Sequence, residues 1–262
     1  MGNQIITTYW GGYFNSPKQT LDKCPKYVDV VILAFIGPLP NSTVETTFLC
    51  SKYSKEQIKE WIKEVQSRGT KVLMSILDTP QTHWNTVDFN IFGNSLQEVM
   101  DEWGVDGFDI DAESGMPGNV FADKFIELID CVRNVIGNDK LLTYTCYTGA
   151  GGYDEAILTA SKDKIDFLQT MAYFDSFEGM RDLYNYYSQF MNNNICIGVK
   201  AGNPEGTPLE EVIKICNWNS NKKGIMLWTM NRDNPSFTQQ PEWTWANTIN
   251  YNIKQRPYLP DI

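Results

Sequence analysis

The chain has 262 residues, with 22 Lys and Arg against 32 Asp and Glu, for a formal net charge of -10. A field of that sign repels phosphate backbones and anionic lipid, which argues against nucleic acid and membrane surfaces as partners. Apolar residues at 42% and charged residues at 21% mark a folded chain, and aromatics at 13% suit a neutral polyhydroxylated ligand.

Short apolar runs alternate with helical patterns from end to end. The first strand is expected over residues 4–10, followed by a short helix near 17–23. A second strand, 28–35, leads to a helix over 54–68. There Ser54 suits an N-cap, Ile58, Trp61, Ile62 and Val65 form one stripe, and Gly69 is a stop signal. The third strand is expected over 71–77 and the next helix over 95–103. After a fourth strand, 107–113, a helix over 119–136 carries Val120, Phe121, Phe125, Leu128, Ile129 and Val132 on one side, with Gly137 as its stop. Strands over 141–147, 167–173, 195–199 and 224–230 then alternate with helices over 153–161, 178–191, 208–217 and 243–254.

Eight βα units in about 250 residues is the size and order of a TIM (β/α)8 barrel, an α/β fold. With no Pro/Gly/Ser linker, repeat or low-complexity tract, a single domain is expected over 1–262. A doubly wound sheet is the rival, but Trp10-Gly11-Gly12-Tyr13 is not the phosphate-binding glycine pattern of that fold. The longest apolar run, 30–37, is too short for a bilayer. The opening residues show no signal-peptide pattern, so the expected location is cytoplasmic, or extracellular if a leader has been removed. None of the six cysteines forms a CxxC pair and His83 is the only histidine, so no metal and no cofactor is expected. Cys131, Cys146, Cys196 and Cys216 lie in apolar runs and read as buried free thiols.

In a barrel, chemistry sits at the C-terminal strand ends. The fourth strand ends Asp106-Gly107-Phe108-Asp109-Ile110-Asp111-Ala112-Glu113. Side chains alternate along a strand, so Asp109, Asp111 and Glu113 share one face while Phe108, Ile110 and Ala112 share the other. Carboxyls this close cannot all ionise freely, so at least one pKa must rise, which supplies a general acid near neutral pH. A divalent-metal site or a solvated strand end are the two blander readings. The first lacks further ligands such as histidines, and the apolar alternate face argues against the second.

The run Asp106–Glu113 matches the DGxDxDxE signature of glycoside hydrolase family 18, the chitinase and endo-β-N-acetylglucosaminidase family. Tyr9-Trp10-Gly11, Ala34-Phe35, Met171-Ala172-Tyr173 and Gly224-Ile225-Met226-Leu227-Trp228 resemble the first, second, sixth and eighth strand ends of the same family. The resemblance spans about residues 4–233. Two positions depart from it. The third strand ends Ser75-Ile76-Leu77-Asp78 in place of SxGG, close to the bacterial endo-β-N-acetylglucosaminidases. Phe174 stands where the family has Asp or Asn, with Asp175 one residue late. Residues 199–208 leave no room for the extra domain that deepens the cleft of processive chitinases, so a shallow groove is expected.

The resemblance implies a substrate-assisted mechanism without a protein nucleophile. Glu113 would be the acid and base, Asp111 would hold the acetamide N–H, and Asp109 would share a proton with Asp111. Tyr173 would bond the acetamide carbonyl and Trp228 would floor the sugar site, with Tyr9, Phe35, Met171 and Asp175 as further binding residues. It also implies cis peptides at Ala34-Phe35 and Trp228-Thr229. The expected activity is hydrolysis of β-1,4-linked N-acetylglucosamine in chitin or chitooligosaccharides. Endo-β-N-acetylglucosaminidase action on the chitobiose core of N-glycans is one alternative, and an inactive lectin or inhibitor is another. The expected partner is an N-acetylglucosamine oligosaccharide or polysaccharide, bound by a monomer.

Overall fold

The computed structural model describes residues 4–114, 116, 118–149 and 152–254. Eight parallel strands close into a TIM barrel: β1 (Ile5–Gly11), β2 (Val30–Pro38), β3 (Lys71–Ile76), β4 (Gly107–Asp111), β5 (Leu141–Cys146), β6 (Phe167–Thr170), β7 (Ile195–Lys200) and β8 (Gly224–Trp228). Each strand pairs with the next, and β8 pairs with β1 from Ile5 opposite Gly224 to Thr8 opposite Leu227, which closes the ring. The sequence expectation of an eight-stranded α/β barrel holds.

Alternation along each strand divides the apolar side chains between two cores. Val31, Leu33, Val72, Met74, Phe108, Ile110 and Leu142 point outward and pack under the helices. Tyr9, Val30, Ile32, Leu73, Phe167, Cys196 and Met226 fill the barrel itself. The connecting helices are α1 (Lys55–Ser67), α2 (Phe89–Trp103), α3 (Gly118–Ile136), α4 (Asp154–Ser161), α5 (Phe177–Met191) and α6 (Leu209–Asn217), with α7 (Pro235–Thr238) and α8 (Thr244–Lys254) after the last strand. Ser54 caps α1 by accepting from Gln57 N, as its sequence position predicts.

Two expectations are corrected in detail, and one short element is added. Helix α2 begins at Phe89, well before residue 95, because Asp88 caps it by accepting from Asn90 N and Ile91 N. Its Gly93 sits where an added Cβ would lie 3.1 Å from Cys131 Sγ, which lets α2 pack tightly on α3. Near 17–23 only one 3-10 turn forms, Leu21–Lys23. A two-residue strand, Val44–Glu45, pairs antiparallel with the end of β2 and has no counterpart in the sequence reading. Residue 120, expected on the buried stripe of α3, has its side chain outside the described residues; Phe121, Phe125, Leu128, Ile129 and Val132 are buried as expected.

Residues 201–208 join β7 to α6 with no inserted domain. The peptide bonds Ala34–Phe35 and Trp228–Thr229 are cis, as the family resemblance implies. Among the described residues no helix is long and apolar enough to cross a membrane. All six cysteines are free thiols, with Cys131 only half-buried against the expectation of full burial.

Candidate active site

Strand β4 builds the centre of the site. Its Gly107 has φ +150°, and an added Cβ would lie 1.9 Å from the Leu141 carbonyl oxygen, so the glycine is needed where β4 enters beside β5. Asp106, just before it, sits at the opposite end of the barrel from the chemistry. Its carboxylate accepts from Lys71 Nζ, Val72 N and Gln66 Nε2, and so serves the strand entry only.

Asp109 is fully buried and collects donors from four other strands. Oδ2 accepts from Tyr9 Oη at 2.7 Å and Ser75 Oγ at 2.7 Å. Oδ1 accepts from Thr143 Oγ1 at 2.6 Å, Thr145 Oγ1 at 2.9 Å and Gln169 Nε2 at 3.5 Å. Among the described residues no hydrogen bond joins Asp109 to Asp111. Both Asp109 oxygens accept from hydroxyl and amide donors.

Asp111, two residues on, is in the opposite condition. It is buried, and its Oδ1 has no hydrogen-bond partner among the described residues. Burial first, then the charges of Glu113, Asp109 and Asp78, hold its pKa well above the ordinary aspartate value. Glu113 lies beyond the last residue of β4, on the loop, where the sequence reading had extended the strand. Its side chain opens to the cleft, and desolvation by the surrounding walls raises its pKa above the ordinary glutamate value. Tyr173, likewise just past the end of β6, faces these carboxyls. Burial, then Asp111 and Glu113, push its pKa up, so its hydroxyl remains a donor.

A cavity of about 380 Å3 is lined by Tyr9, Asp111, Glu113, Met171, Tyr173 and Trp228 of the expected set. Thr145, Tyr147, Phe174 and Lys200 complete its lining. Thr145 and Lys200 stand near the C-terminal ends of β5 and β7, where the barrel rule points, but their residue types carry no motif. Phe174, marked in the sequence as a departure, is 77% exposed and lies beneath Lys200 Nζ, 5.1 Å from its ring centre.

Two expected residues sit elsewhere. Phe35 stacks on Trp228 with ring centres 5.9 Å apart but lines a second groove of about 260 Å3, with Gly37, Phe48, Leu77 and Asp78. Asp175 lines neither cavity: it is exposed on the turn before Ser176, the N-cap of α5, so the one-residue shift takes it out of the cleft. Among the described residues no group of three or more His, Cys, Asp or Glu is arranged to hold a metal ion.

The fold is that of a TIM-barrel protein with a row of carboxyls at the C-terminal end of β4. The chain belongs to the family of the endo-β-N-acetylglucosaminidase EndoS TIM-barrel domain, whose profile matches residues 10–200. The family-18 resemblance read from the sequence is thereby supported. Among solved structures, a chitinase from Bacteroides thetaiotaomicron superposes with a TM-score of 0.78 at 12% identity, over 97% of this chain and 98% of that one. A GH18 chitinase from Pseudoalteromonas aurantia gives 0.73 at 21% identity, over 95% and 100%. One from Chromobacterium violaceum gives 0.75 at 19% identity, over 97% and 84%. At these identities the likeness is one of fold. No curated protein matches the sequence significantly.

Proposed function

We propose that this protein is a retaining glycoside hydrolase that cleaves the β-1,4 bond following an N-acetylglucosamine unit, with the sugar's own acetamide as nucleophile. The observation that carries the reading is the buried Asp111 Oδ1. A buried polar atom without a partner is costly, and an acetamide N–H entering the cavity would satisfy it. Tyr173, with its hydroxyl kept protonated, is the donor for the acetamide carbonyl. Holding the amide at both ends presents its oxygen to the anomeric carbon, and an intramolecular nucleophile already in reach has a large entropic advantage.

Glu113 transfers its proton to the leaving oxygen and then takes one from the incoming water. Asp111 offsets the positive charge that develops on the oxazolinium. Asp109, held by five donors, raises the Asp111 pKa by its charge, and it takes the Asp111 proton as the oxazolinium develops, so that Asp111 meets that charge as a carboxylate. No second carboxyl on another strand lines the cavity among the described residues, and this favours the acetamide over a protein nucleophile. Trp228, edge-on to Tyr9 at 5.2 Å, is the floor on which the sugar ring stacks.

Chitooligosaccharides are the substrates that the sequence favours. A second reading, cleavage of the chitobiose core of N-glycans, draws on the family to which residues 10–200 belong. Parallel assays on chitotetraose and on a high-mannose glycoprotein test both. Release of sugar from neither, with the oligosaccharide still bound, would leave an inactive lectin as the function.

A further inference from the structure

Glu113 makes no hydrogen bond or ion pair with any described residue, so its position depends on the backbone on either side. On the strand side, Ala112 N donates to Thr145 O at 2.8 Å. On the other side stands Ser114, whose Oγ donates to Asp78 Oδ2 at 2.5 Å and accepts from Met116 N at 3.3 Å. The same Asp78 oxygen is engaged by His83 Nδ1 at 2.9 Å. The Asp78 side chain is only 5% exposed and stands two residues past β3, at the point where the sequence departs from the family's third-strand pattern.

We propose that Asp78 is a positioning residue for Glu113: held in turn by His83, it ties the loop that carries the acid–base carboxyl to the end of β3 through Ser114. The inference rests on the reading of Glu113 given above. A carboxyl that must reach a leaving oxygen within hydrogen-bond distance loses rate steeply when it wanders by an ångström, whereas substrate binding along the rest of the cleft is little affected. A neutral Asp78→Asn side chain presents to Ser114 and His83 either an amide donor or a weaker acceptor, so the tie is lost without removing bulk.

The test compares Ser114→Ala, Ser114→Thr and Asp78→Asn with wild type on chitotetraose and on an aryl chitobioside, whose phenolic leaving group departs with little protonation. Ser114→Ala and Asp78→Asn should lower kcat on chitotetraose by roughly 10–100-fold with KM within about twofold. On the aryl substrate the loss in kcat/KM, which reports only the steps through release of the leaving group, should shrink to about threefold or less, because protonation of the leaving group is no longer limiting. Ser114→Thr, which keeps the hydroxyl, should recover most of the rate. An equal loss in kcat/KM on both substrates, or less than about a threefold loss on chitotetraose, overturns the proposal. Hydrogen exchange provides a measurement independent of turnover: amides of the segment following Glu113 should exchange faster in Ser114→Ala and Asp78→Asn, and unchanged exchange also overturns the tie. A wild-type chain that cleaves neither substrate defeats the reading of Glu113, and exchange alone then decides whether Asp78 holds the loop.

Discussion

The Tyr9 hydroxyl on β1 donates a 2.7 Å hydrogen bond across the barrel to Asp109 Oδ2 on β4. Tyr9 is buried, and burial together with the Asp109 and Asp111 charges raises its pKa above the ordinary tyrosine value, which favours the protonated, donating hydroxyl. Tyr9 also lines the cavity and meets Trp228 edge-on, so one side chain both holds Asp109 and shapes the cavity wall. Tyr9→Phe keeps the ring and removes one of the five donors. A stability loss of about 1–2 kcal/mol by denaturant melting is expected, since one buried charge-assisted bond is lost. Turnover should fall while KM stays close to wild type.

Glu113→Gln should keep the fold and ligand binding and lower kcat by at least about 10²–10⁴-fold, the usual worth of general acid–base assistance. Gln has nearly the same shape and cannot transfer the proton. A variant retaining a tenth of wild-type turnover on chitotetraose would refute the assignment.

Asp111→Asn should also lose mainly kcat, because Asn still accepts from the acetamide N–H yet cannot neutralise the oxazolinium. A change confined to KM would show that Asp111 does not act in the transition state. The same variant has a stability signature. The folded chain holds the Asp111 proton to a pH at which the unfolded chain has released it, so the wild type loses stability as pH rises above the ordinary aspartate value. Asn does not titrate. Its gain in Tm over wild type should therefore be small near about pH 4 and grow towards about pH 8.

Activity against pH should fall on the basic side as Glu113 loses its proton. Its raised pKa places that limb above the ordinary glutamate value of 4.5. A basic limb at or below 4.5 in the kcat/KM profile would assign the proton to another group.

Replacing the cleavage-site N-acetylglucosamine by glucose or by deacetylated glucosamine should abolish hydrolysis even where the chain still binds. An oxazoline-mimicking thiazoline should inhibit competitively, as it resembles the intermediate that Asp111 and Tyr173 would hold. Efficient cleavage of a substrate without the acetamide would mean that a protein carboxylate is the nucleophile.

What the sequence determined by itself is the barrel and its carboxyl-bearing strand. Hydrophobic runs of strand length recurring between helical stripes require eight βα units. Period-two alternation in Asp106–Glu113 already puts Asp109 and Asp111 on one face and Phe108, Ile110 and Ala112 on the other. These are local properties, legible in one dimension. Only the tertiary structure decided what each carboxyl experiences, because that depends on residues far away in the chain. Asp109 is quenched by donors from Tyr9, Ser75, Thr143, Thr145 and Gln169, while Asp111, two residues on, has an oxygen with none. The same holds for Lys200 and Thr145, which enter the cleft only because β5 and β7 curve round to it, and for Asp175, which a one-residue shift at the end of β6 carries out of it. Ser114 and Asp78, 36 residues apart, meet for the same reason: closing the sheet brings the ends of β3 and β4 together, and no local pattern records the distance between them.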